Sequence, residues 1–147
     1  MAVWQKENNE DRVIKVILFL VSPILALLFS LRTLKTKSSF FIIFLFSVFF
    51  GLSFSVEVGK KDDNSIDGSS YREKFHHYSF VSDSKFYKGL LEYLTFEKGK
   101  QDYYFDTVAF YVSRFTSNYH IMFMVFAIVF AFFALKSLKF FVAEKNY

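Results

Sequence analysis

The sequence predicts an all-α fold: a polytopic membrane protein with three transmembrane helices and an outer helical loop that includes an interfacial amphipathic helix. Three observations predict it. Three apolar stretches without Asp, Glu, Lys or Arg reach spanning length, two of them are apolar around the whole helical circumference, and basic residues gather in short segments beside them. A helix crossing the hydrocarbon layer needs about 20 such residues. The expected spans are about 13–31, 38–56 and 117–135, within one membrane domain over 1–147 and with an outer loop at about 57–116.

The first span rests on the uncharged run Val16 to Leu31, extended back to Val13 if Lys15 snorkels. A balanced charged head, with Lys6, Arg12 and Lys15 against Glu7, Glu10 and Asp11, and no small-residue cleavage signal separate it from a secretory leader. Pro23 removes one backbone hydrogen bond, so a kink is expected there. The second and third spans carry FFIIFLFSVFFGLSF and IMFMVFAIVFAFFAL. A surface helix of a soluble protein would show a polar face, and these have none.

Arg32, Lys35 and Lys37 occupy the 32–39 turn with no acid, and Lys136, Lys139 and Lys145 face only Glu144 in the tail. Read by net charge, the turn and tail are cytoplasmic, while the N-terminus and the 57–116 loop are outside. The overall charge of +4 sits in these membrane-flanking clusters, which argues against nucleic acid as a partner and for the lipid bilayer. The absence of cysteine excludes disulfides and thiolate metal sites.

Glu57 to Ser70 reads as a polar loop, and Tyr71 to Phe96 as one or two short helices. In Asp102 to Phe115, Tyr104, Val108, Tyr111, Val112 and Phe115 share one helical face, the pattern of an interfacial helix. Thr116-Ser117-Asn118 then breaks the chain, with Ser117 or Asn118 capping the third span. This turn sets Arg114 and His120 near the outer lipid surface.

Asp63-x-Ser65-x-Asp67-Gly68 matches the start of a calcium loop, but Lys74 stands where the closing Glu belongs. His76 and His77 point about 100° apart on a helix and do not share a metal. No metal and no cofactor is expected, and no hydrolase, zinc-protease or nucleotide-binding motif occurs.

GLSF at 51–54, the stretch Asp67-Gly68-Ser69-Ser70-Tyr71-Arg72-Glu73-Lys74-Phe75, and residues 113–140, which open SRFTSNYHIMFMVF, resemble the EpsG family of Wzy-like exopolysaccharide and O-antigen polymerases. Ser53 stands where that family's GLR-type motif has arginine, and Gly68 follows Asp67 where tyrosine is common. The resemblance covers the amino-terminal portion of such polymerases, so the chain is expected to be a piece of a larger polytopic protein. It implies a multi-pass protein of the bacterial cytoplasmic membrane that polymerises undecaprenyl-diphosphate-linked glycan units at the outer face, with other polysaccharide-synthesis proteins as neighbours. By this resemblance Asp67 and Arg114 would be catalytic, and Arg72, Tyr71, Tyr119 and His120 would bind substrate. The alternative from another class is a small non-enzymatic membrane accessory or scaffold protein.

Overall fold

The computed structural model describes residues 4–55, 67–96 and 103–144, and their regular structure is entirely helical. Seven helices follow in order: α1 (Asn9–Val21), α2 (Pro23–Arg32), α3 (Lys37–Ser53), α4 (Asp67–Tyr78), α5 (Asp83–Leu94), α6 (Tyr104–Phe115) and α7 (Tyr119–Glu144). The chain divides into two compact units. The first comprises Met1–Ser53 with Met124–Tyr147, and the second Phe54–Phe123.

In the first unit the first apolar stretch is two helices, and the break replaces the expected kink. Ser22 precedes a proline, whose ring disfavours helical backbone in the residue before it. Ser22 accordingly lies extended, at φ −154° and ψ 104°, and closes α1 by donating its N–H to the Leu18 carbonyl at 2.7 Å. Its hydroxyl then caps α2, accepting from Leu25 N–H at 3.5 Å, and Pro23 takes the first helical position, where no donor is lost.

The break lets the chain fold back on itself. Gln5 N–H donates to the Lys35 carbonyl at 3.0 Å, so the segment before α1 lies against the 32–39 turn. Lys15 does not snorkel to water. It is fully buried, and its ammonium donates to the Glu7 carboxylate and to the hydroxyls of Thr36 (2.9 Å), Ser38 (2.8 Å) and Ser39 (2.8 Å). Glu7 is only 3% exposed and also accepts from Ser38 and, at 3.3 Å, from Arg12. Burial raises its carboxyl pKa, but the hydrogen bonds from Lys15 and Ser38 outweigh that and hold it below the ordinary value. The N-terminus and the turn, expected on opposite membrane faces, are tied together.

α7 is the one described helix long and apolar enough to cross a membrane, by 23 residues from Tyr119 to Phe141. At about 1.5 Å per residue that segment measures about 35 Å. α2 and α3 are shorter apolar helices, and the expected second span ends as a helix at Ser53, with Val56 outside the described residues.

The second unit packs α4, α5 and α6 around Val81, Phe86, Tyr103 and Phe110. Phe86 and Phe110 stack at 3.8 Å between centroids. The expected short helices are α4 and α5. α4 begins at Asp67, so the last four residues of the expected loop are helical, and 56–66 lie outside the described residues. α6 buries Asp106, Ala109 and Phe110. The face expected to be apolar stays open, with Phe115 88% exposed and Tyr104 and Tyr111 each 45%.

Candidate functional site

Asn118 caps α7 as expected, its side-chain oxygen accepting from His120 N–H at 3.0 Å, while Thr116 Oγ1 accepts from Asn118 N–H at 3.0 Å. This double turn fixes Tyr119 and His120 at the head of α7, where their rings stack at 4.2 Å. From α4, the Arg72 guanidinium lies over the Tyr119 ring, 4.9 Å from its centroid. One helical turn of α4 also carries Tyr71, whose ring meets Phe105 of α6 at 5.0 Å, and Lys74, whose ammonium lies 6.0 Å from the same ring.

Three residues singled out in the sequence, Arg72, Tyr119 and His120, therefore belong to one aromatic and basic cluster, while Tyr71 pairs with Phe105. Cation–π contact of this kind holds a guanidinium in place while leaving its N–H edges able to meet an anion. His120 Nδ1 is buried without a hydrogen-bond partner, and such an atom carries a desolvation cost that a ligand hydroxyl would relieve. Tyr71 is 37% exposed.

Arg114 is placed elsewhere. It donates to the Ser79 carbonyl at 3.2 Å, to the Val81 carbonyl, and to Asp83 Oδ1 at 3.1 Å, and its guanidinium stacks 4.5 Å from the Phe110 centroid. These bonds tie α6 to the α4–α5 connection, so Arg114 clamps the unit. Asp67 opens α4, and its side chain lies outside the described residues.

Two polar features went unread in the sequence. Asp106 is 9% exposed and receives a hydrogen bond from the Tyr78 hydroxyl. Burial and the adjacent carboxylate push the Tyr78 phenol far above its ordinary value. The signal available was the spacing of Tyr103, Asp106 and Phe110, a second helical face competing with the apolar one. The other is the Lys15 knot, foreshadowed by a lone lysine within an apolar run followed by Thr36, Ser38 and Ser39.

Among the described residues no group of three His, Cys, Asp or Glu is placed to hold a metal ion. Comparison with family models, with curated proteins and with solved structures gives no match.

Proposed function

We propose that this chain is a multi-pass component of bacterial polysaccharide assembly in the cytoplasmic membrane, similar to the amino-terminal portion of EpsG-type polymerases. The 57–116 segment works at the outer face, and the turn and tail are cytoplasmic. Support for a bilayer setting comes from α7, whose Phe130, Phe132, Phe133, Phe140 and Phe141 are each at least 59% exposed and need an apolar solvent.

The observation that carries the glycan reading is the Arg72–Tyr119–His120 cluster. Aromatic faces suit the C–H faces of sugars, and a guanidinium suits a lipid-linked diphosphate. In the reaction an acceptor hydroxyl attacks the anomeric carbon, the bond from that carbon to the diphosphate oxygen breaks, and the lipid diphosphate leaves. Asp67 takes the hydroxyl proton, and His120 binds substrate. Arg72 holds the phosphate oxygens.

The test is the length of surface polysaccharide in cells carrying Arg72→Gln, Tyr119→Ala or Arg114→Lys. Loss of long polymer in the first two, with insertion into the membrane unchanged, is the expected result. Normal polymer in Arg72→Gln removes the cluster from the reaction. The accessory reading is favoured by one observation: only 11% of the most apolar window of α7 is buried within the chain, so that helix has surface to offer partner helices. It predicts a stoichiometric membrane partner on purification and unaltered polymer in both cluster variants.

A further inference from the structure

We infer that the groove between α3 and α7 is a binding site for an anionic phospholipid. The groove measures about 400 Å³. Its walls are apolar, with Phe40 and Phe44 from α3 and Phe132 from α7, and Lys37, Lys136 and Lys139 line it as well, with no acidic side chain among them. Lys136 and Lys139 stand three residues apart on α7 and so share a face. Lys139 is held 5.5 Å from the Trp4 ring centroid, and Trp4 meets Phe40 edge-on at 4.9 Å.

The chemistry commits to a lipid. Three ammonium groups call for phosphate, while a phenylalanine wall offers nothing to a free ion and everything to an acyl chain. Basic pockets between membrane helices on the cytoplasmic side take lipid head groups in this way, and an indole at the same level is a membrane-interface residue. Trp4 reaches the groove because α1 folds back beside the turn, so the site depends on the Ser22 break. The inference rests on the bilayer setting of the first unit and is independent of the glycan reading.

The test is native mass spectrometry of the full 147-residue chain, released from micelles containing phosphatidylglycerol or phosphatidylcholine. Retention of phosphatidylglycerol over phosphatidylcholine is expected. Each lysine contributes about fivefold, so Lys37→Gln/Lys136→Gln/Lys139→Gln weakens retention about a hundredfold while the matched arginine variant keeps it. Phe44→Trp, which fills the groove and leaves every charge, also lowers retention, so the answer does not hang on one variant. Equal retention of both lipids overturns the inference. So does an equal loss in Lys6→Gln/Lys85→Gln/Lys88→Gln, which changes the same charge elsewhere. Displacement by millimolar inorganic phosphate makes it a phosphate site and overturns the lipid assignment.

Discussion

Replacing Lys15 with methionine keeps the apolar stem and removes the ammonium that joins α1 to the 32–39 turn. The hydroxyls it leaves behind keep partners. Thr36 donates to the Thr33 carbonyl at 3.0 Å, Ser39 pairs with Thr33 Oγ1 at 2.8 Å, and Ser38 remains on Glu7. The loss therefore falls on Glu7, a carboxylate 3% exposed with only Ser38 and a 3.3 Å contact from Arg12 remaining. Breaking a buried pair from one side costs about 3–5 kcal/mol, and the surviving partners set the expectation at the low end, about 3 kcal/mol. Glu7→Gln costs about 1–2 kcal/mol, because the ammonium keeps three hydroxyls. The double variant, with neither charge, costs less than Lys15→Met alone, giving a coupling of about 2 kcal/mol. The assay is equilibrium unfolding in mixed micelles, followed by the fluorescence of Trp4, the single tryptophan, which packs on Phe40 in the same unit. Glu7 adds a pH arm. Its folded pKa is depressed, so its stabilisation is complete above the ordinary value of 4.5 and is lost as pH falls through the lower folded value, while Glu7→Gln shows no such loss. Additive single costs, with a coupling under about 0.5 kcal/mol, would refute the knot.

Other sites give sharp outcomes. A Cβ at Gly89 would sit 2.6 Å from the Tyr103 hydroxyl oxygen, so Gly89→Ala is expected to destabilise the second unit by about 1–3 kcal/mol in thermal melts, and Tyr103→Phe in that background restores part of the loss. Tyr78 has a raised pKa, so it favours folding below its ordinary value of 10.0. That contribution fades as pH rises above 10.0 toward the folded value, and a Tyr78→Phe melt lacks this alkaline decline. Arg114→Gln frees the carbonyls of Ser79 and Val81 and is expected to cost about 2 kcal/mol, seen as faster amide exchange between α4 and α5. Since the chain has no native cysteine, single replacements report sidedness: Gln5→Cys and Ser137→Cys should label from the same membrane face and Lys88→Cys from the other. Opposite labelling of the first two would contradict the fold-back.

The helical class was legible because whole-circumference apolarity has no other stable use, and the Thr116–Asn118 break because its polar run sits between two apolar segments. The break at Ser22 was half legible. Proline announced an interruption, but a kink and a reversal differ only in where the freed chain finds partners, and those partners, Lys35, Thr36 and Ser39, are distant in sequence. The α6 helix was legible on one face only. Tyr104, Tyr111 and Phe115 have the right period, yet the unit's core is built on Asp106, Ala109 and Phe110. The two arginines proved inequivalent: Arg114 sits within reach of the carbonyls of Ser79 and Val81, whereas Arg72 lies over the Tyr119 ring. Proximity in space decided each case, and one sequence does not carry it.

The sidedness of the N-terminus turns on how charge is counted. By net charge the head is neutral, because Glu7, Glu10 and Asp11 cancel Lys6, Arg12 and Lys15, and neutrality let it be assigned outward. Acidic residues contribute little to the orientation of short segments, however, and the Lys and Arg residues dominate. Counted that way, the head carries three, as does the 32–39 turn. A cytoplasmic head then agrees with the bond from Gln5 to Lys35 and with Lys139 lying over Trp4. It also gives the Lys15 knot a physical rationale. A lysine within an apolar helix is costly unless its charge is met, and folding the head back beside the turn delivers Glu7 and three hydroxyls to it. The chain reversal at Ser22 leaves α1 and α2 as 13- and 10-residue helices, and α7 as the one described helix long and apolar enough to cross a bilayer.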